Sequence, residues 1–189
     1  MNTKRITLCA FFVILYVLGA KITIPTGIIP LTMQTMVVIL AGCMLTPKDI
    51  FLSYSVYFIM GLVGLPVFAS GGGISYIVQP SFGFLLSFPI AASILSMIKT
   101  KLHLHSFVSI FPVCLFALLI VYAIGCSYMY MIFNFYLGSA KDIATIISLG
   151  ATPFVLSDAL SGALACFAAI YLVKIPQINR FILASHSSH

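Results

Sequence analysis

The chain has 189 residues, 62% of them hydrophobic and only 6% charged, and its mean hydropathy is +1.21. A soluble domain carries about 25% charged residues, so a soluble enzyme or binding module is excluded and a single polytopic membrane domain over 1–189 is expected. The net charge of +6 does not point to nucleic acid, because the basic residues stand singly between apolar runs, as topology signals do.

Six apolar segments follow in chain order, each read as a transmembrane helix of about 20 residues or fewer when packed among neighbours. The first, 6–20, follows Lys4-Arg5. Leu18-Gly19-Ala20 has the look of a signal cleavage region, yet the remaining chain keeps entering lipid, so the run is more simply the first span. A Pro-containing stretch from Ile24 to Gln34, with Thr26 and Gly27 inside it, leads into the second, 31–45. The third, 50–65, is separated from it only by Thr46-Pro47-Lys48-Asp49. The proline stops a helix there, and Lys48-Asp49 marks the water boundary. The glycine-rich run Gly61–Gly73 and the stretch Gln79–Phe84 precede the fourth segment, 81–98. The fifth, 107–137, is long enough for Pro112 and Gly125 to bend or break it. The sixth is 151–173.

Orientation comes from the cations. With the N-terminus inside, the inner side carries Lys4, Arg5, Lys48, Lys99, Lys101, Lys174 and Arg180, and the outer side only Lys21 and Lys141. The positive-inside rule is then satisfied with both termini cytoplasmic. The expected fold is therefore all-α, six transmembrane helices in the lipid bilayer, with the polar stretches gathered into a ligand pocket on the outer side.

Asp158 is the residue that points most directly at a site. It is one of three acidic residues in the chain, and an acid in lipid costs about 2.5–3.5 kcal/mol, so it faces a protein interior or a wet cavity. It lies about 10 Å below the outer end of the sixth segment at the helical rise. Ser161 shares its face three residues on, and Gly162 and Ala165 continue that face with small residues suited to close packing. Asp158 is either a ligand group or a structural acid held by loop amides and the helix dipole. Gln34 offers donor and acceptor to a ligand or to a neighbouring helix. Gly71, Gly72 and Gly73 form either a pocket lid whose backbone approaches a ligand or an ordinary outer loop. Ser81 and Tyr57 complete the candidate binding set, and Tyr76, Phe82, Phe84 and Phe88 are available for an apolar cavity wall or for the core.

Other chemistry lacks its residues. There is no P-loop pattern and no constellation spaced for catalysis, so no enzyme is expected. Cys9, Cys43, Cys114, Cys126 and Cys166 read as buried small hydrophobes. His103, His105, His186 and His189 have no partner ligands near them in sequence, so no metal or cofactor is expected.

Four blocks in order resemble the BioY family, the biotin-specific substrate-binding subunits of energy-coupling-factor transporters. They are Ile29-Pro30-Leu31-Thr32-Met33-Gln34-Thr35, then Tyr57 with Gly61-Leu62-Val63-Gly64-Leu65-Pro66-Val67-Phe68-Ala69, then Gln79-Pro80-Ser81-Phe82-Gly83-Phe84, and last Pro153-Phe154-Val155-Leu156-Ser157-Asp158-Ala159-Leu160-Ser161. The resemblance spans roughly 6–174. It implies biotin uptake, with biotin bound from outside in a pocket capped by the loop before the fourth helix, Asp158 as the pocket acid, and backbone amides of Ser70–Gly73 or the Ser81 hydroxyl serving the ligand carbonyl or tail. It also implies an energy-coupling transmembrane subunit and ATPase subunits as partners. Three departures stand out. Ser161 replaces a family lysine, so Lys21 or outer water is left to meet the ligand carboxylate, or the ligand is another small vitamin or organic acid. Phe82 replaces a glycine. Ile14 fills a small position of the docking face Ala10–Ile14, which points to altered docking or work without the partner.

Overall fold

The computed structural model describes residues 3–25, 28–176 and 178. Arg180, His186, His189, Thr26 and Gly27, weighed above, lie outside the described residues. In lipid only an internally bonded backbone is stable, and the apolar runs accordingly form α1 (Thr3–Lys21), α2 (Gln34–Met44), α3 (Pro47–Leu62), α4 (Phe82–Lys101), α5 (Phe107–Met131), α6 (Ile143–Gly150) and α7 (Val155–Lys174). A short ladder joins β1 (Thr23–Ile24) to β2 (Leu31–Thr32), pairing Thr23 with Thr32 and Ile24 with Leu31. A 3-10 turn at Ile74–Val78 leads to α4, and a π turn at Ile132–Tyr136 extends α5.

Helix starts follow local chemistry. Thr46 accepts from the Asp49 amide at 3.3 Å and donates to the Asp49 carboxylate at 2.7 Å, while Pro47 takes the first turn, where its missing N–H costs nothing. Ser106 and Ser109 cap α5 reciprocally.

Four helical stretches among the described residues are long and apolar enough to cross a membrane: α1, α4, α5 with its π turn, and α7. α2 and α3, with 11 and 16 residues, are shorter. The fifth segment is not broken. Pro112 sits inside α5, and Gly125 is a packing position, since a Cβ there would lie 2.4 Å from the Phe84 ring. α6 is an additional short helix between the fifth and sixth apolar segments. The Asp49 side chain, at the same end of the bundle as Lys48, does not face water. It is 1% exposed and ion-paired to Arg5 across α1 and α3.

α4 packs most extensively on α5, α2 lies between α4 and α7, and α1 packs on α3. An aromatic cluster fills the α1–α3 side of the core. Tyr16 meets Tyr54 at 5.1 Å, Tyr57 meets Phe68 at 5.5 Å and Phe68 meets Tyr76 at 4.7 Å between ring centroids, spacings at which such rings attract. Leu160, Leu164, Phe167 and Tyr171 form one exposed stripe along α7, and Phe11, Ile14 and Leu18 another along α1. Large exposed apolar stripes of this kind suit lipid contact.

The helix directions separate the charges. α1 begins, α2 ends, α3 begins and α4 and α7 end at one end of the bundle. Lys4, Arg5, Lys48, Lys99, Lys101 and Lys174 sit there, whereas Lys21 and Lys141 lie toward the other end.

Candidate functional site: a cleft built around Asp158

The opposite end of the bundle, where α2, α4 and α7 begin, holds a cleft of about 530 Å³, counting its open mouth. The start of α2 contributes Gln34 and Thr35. The start of α4 contributes Ser81, Phe84, Leu85 and Phe88, the middle of α5 Val121 and Tyr122, and α7 Asp158. Ile29 to Thr32, Ala69, Tyr76, Gly150 and Phe154 complete the wall. Most of it is apolar, and among the described residues its only charged group is the Asp158 carboxylate.

Asp158 is 7% exposed. The Tyr122 hydroxyl donates to its Oδ2 at 2.6 Å, and Thr35 lines the same cleft. A carboxylate accepts about four hydrogen bonds, so this one hydroxyl leaves it acceptor capacity toward the cleft. Its own amide is spent on the Phe154 carbonyl at 2.7 Å. Gln34, 2% exposed, donates from Nε2 to the Tyr57 hydroxyl at 3.0 Å, which leaves its amide oxygen as the free acceptor beside the cleft. Ser81 stands at the start of α4, but its hydroxyl makes no capping bond, so it remains available on the wall.

The structure thus brings Asp158, Gln34 and Ser81 together, with Tyr76, Phe84 and Phe88 from the aromatic set. It does not bring all the candidates to the wall. Tyr57 is fully buried behind Gln34, and its hydroxyl also points to the Val67 carbonyl at 3.5 Å. Phe82 packs on Phe58 and Tyr128 in the core. Ser161 is buried but lies one turn deeper along α7, outside the cleft wall.

Gly71, Gly72 and Gly73 also lie outside the wall, and two of their amides are spent within the loop. Gly71 and Phe68 exchange backbone bonds of 3.3 and 2.9 Å, and the Gly73 amide donates to the Gly61 carbonyl at 2.7 Å. A Cβ on Gly72 would sit 2.1 Å from the Leu65 carbonyl oxygen. Glycine is required because this loop folds back on the end of α3, with Gly71 and Gly73 at φ of 121° and 104°. Ala69, at the tip of that fold, is the part that reaches the cleft. Lys21 secures it by donating to the Phe68 carbonyl at 2.9 Å.

Sequence reasoning missed Tyr122, Thr35 and Phe154. Tyr122 is one of four tyrosines in the apolar segment 107–137, and the signal that singles it out is the need of a buried acid for a donor.

The BioY family model matches residues 1–177 of the chain. A "Probable biotin transporter BioY" of Pyrococcus horikoshii is 38% identical over 167 residues, covering 86% of this chain and 99% of that protein. Another protein of that name, from Lysinibacillus sphaericus, is 32% identical over 188 residues, covering 95% of this chain and 96% of the relative. The "Biotin transporter BioY" of Thermotoga maritima is 33% identical over 173 residues, 91% of this chain and 97% of that one. Among solved structures, the S-component for biotin from an ECF-type ABC transporter superposes with a TM-score of 0.81 at 22% identity, over 96% of this chain and 99% of its own, a likeness of fold. Sequence blocks, fold and match over nearly the full length converge: the chain belongs to the BioY family.

Proposed function

We propose that the protein binds biotin in the Asp158 cleft and carries it into the cell as the substrate-binding subunit of a transporter. One observation carries this reading: a single buried carboxylate, held by the Tyr122 hydroxyl, in a mostly apolar cleft. Biotin presents two ureido N–H donors, a carbonyl, an apolar sulfur ring and a carboxylated tail. A carboxylate suits the N–H groups, since hydrogen bonds to an ionised acceptor are about twice as strong as neutral ones. The Ser81 hydroxyl serves the ureido carbonyl, and Gln34 contributes a further acceptor. Tyr76, Phe84 and Phe88 enclose the ring. Ser161 and Tyr57 support this wall from behind, and Gly71 to Gly73 shape the loop that presents Ala69.

In this reading α1, α2, α3, α4, α5 and α7 are the six spans, α2 and α3 crossing as a short pair. The cation-rich end is cytoplasmic with both termini, and the cleft opens outward. The localisation is the bacterial cytoplasmic membrane. The protein performs no covalent chemistry. Ala10 and Ile14 share an exposed face of α1, the surface offered to an energy-coupling transmembrane subunit, and ATPase subunits on other chains supply the energy.

The test is uptake of labelled biotin in a biotin-requiring host, with and without coupling subunits, together with binding to the purified protein. Saturable binding at micromolar biotin is expected. Its absence in a correctly folded sample overturns the reading.

A further inference from the structure

A second cavity lies at the end of the bundle remote from the cleft, with about 570 Å³ of space counting its mouth. α7 separates the two, since Asp158 lines the first and Lys174 the second, about 24 Å apart along the helix. Lys99 at the end of α4, Lys174 at the end of α7 and His105 in the α4–α5 connection converge on it. No acid lines it among the described residues. Asp49, the acid at this end of the bundle, is held by Arg5 and Thr46.

Lys99 and Lys174 are positioned without acidic partners among the described residues. Lys99 donates to the Cys43 carbonyl at 2.6 Å, at the end of α2, which uses one of three ammonium donors. Lys174 rests 5.4 Å from the Tyr171 ring centroid. His103 at φ 49° turns the chain, and the Leu104 amide returns to the Lys99 carbonyl at 3.0 Å, which brings His105 to the mouth. Beneath the cations the wall is aliphatic: Ile110, Ile170 and Val173. Such a surface fits an amphiphile with an anionic head rather than a free anion, which gains nothing from the aliphatic floor.

We propose that this cavity seats an anionic phospholipid, its phosphate held by Lys99, Lys174 and His105 and an acyl chain lying along Ile110, Ile170 and Val173. Basic pockets between helices at a membrane face bind lipid headgroups through this combination of charge and apolar wall. The site is independent of the biotin cleft, and its test does not use biotin.

The test is thermal unfolding of the purified full chain in neutral detergent, titrated with phosphatidylglycerol, phosphatidylcholine or inorganic phosphate, with lipid retention followed by native mass spectrometry. Phosphatidylglycerol is expected to raise Tm and to be retained, with an apparent affinity at least tenfold above that of phosphatidylcholine. Lys99→Gln with Lys174→Gln is expected to abolish that preference. Lys101→Gln, on the same helix end but outside the cavity, is expected to keep it. Should the double variant fail to fold, Lys174→Gln alone, at an exposed position, is expected to weaken retention at least threefold. Equal response to phosphatidylcholine, an equal loss in Lys101→Gln, or the same Tm rise with inorganic phosphate overturns the lipid assignment. So does an unchanged lipid response in the Lys99 and Lys174 variants, even where uptake fails; that outcome reassigns the surface to a polypeptide partner.

Discussion

Asp158→Asn isolates the charge in the cleft from its shape. Asparagine keeps the size and one acceptor oxygen, so the 2.6 Å bond from Tyr122 can persist in weaker form. What is lost is the ionised acceptor. A hydrogen bond to a charged group contributes about 1.5–3 kcal/mol and a neutral one about 0.5–1.5 kcal/mol. One or two ligand N–H bonds therefore lose about 1–3 kcal/mol together, and biotin should bind about 5- to 150-fold more weakly at 1.4 kcal/mol per factor of ten. The unliganded protein should melt nearly unchanged, because a buried charge has been removed and no cavity made. The assay is direct biotin binding to purified protein, paired with its melting curve. Tyr122→Phe sharpens the argument: it should weaken binding less, and the double variant should resemble Asp158→Asn alone, since coupled residues are not additive. Unchanged binding in Asp158→Asn, or a loss of binding matched by a collapse of the unliganded protein, would refute a ligand role for this acid.

Other substitutions test the packing around the cleft. Gly125→Ala puts a methyl 2.4 Å from the Phe84 ring; overpacking costs about 1–3 kcal/mol, so Tm should fall, and because Phe84 lines the cleft, biotin binding should weaken with it. Gly72→Ala meets the Leu65 carbonyl at 2.1 Å, a backbone atom with little freedom to retreat; thermal melting should show a destabilised protein even without ligand, whereas a pure lid residue would change binding alone. Arg5→Met should destabilise by about 3–5 kcal/mol by stranding the buried Asp49, and adding Asp49→Leu should recover much of the loss in the same melting assay. A biotin ester or amide should bind within about threefold of biotin in a competition assay, because no cation lines the cleft to reward a free carboxylate.

The helices were legible because lipid leaves the backbone no alternative, and segment ends moved by only a few residues where Thr46-Pro47 or Ser106 supply caps. α6 was not legible: its eight residues, Ile143–Gly150, are too few to read as a span, and their apolarity merged with the approach to the last helix. Asp49 misled for a related reason. Its partner Arg5 is 44 residues away, and a sequence neighbour, Lys48, offered a simpler account of the charge. In the site, Asp158 was readable because an acid in an apolar run needs an explanation that a soluble protein would not demand. The glycines were readable as special but not as to purpose. Positive φ and small volume serve a loop folded against its own helix as well as a loop folded over a ligand, and only the Leu65 and Gly61 carbonyls distinguish the two.

The replacement of a family lysine by Ser161 finds its meaning in the charge of the cleft. With Ser161 off the wall and no cation on it, the field inside is negative. A ligand carboxylate 4 Å from Asp158 would meet about 4 kcal/mol of repulsion at an effective dielectric of 20, falling to about 1.7 kcal/mol at 10 Å and further as water screens the mouth. A ligand that carries both N–H donors and an acid is therefore sorted end for end, donors inward and acid outward. Lys21 lies off the wall, anchored to the Phe68 carbonyl beside Ala69. The missing lysine does not by itself argue for a different ligand; it removes a counter-charge and leaves orientation to repulsion from Asp158 and to solvent.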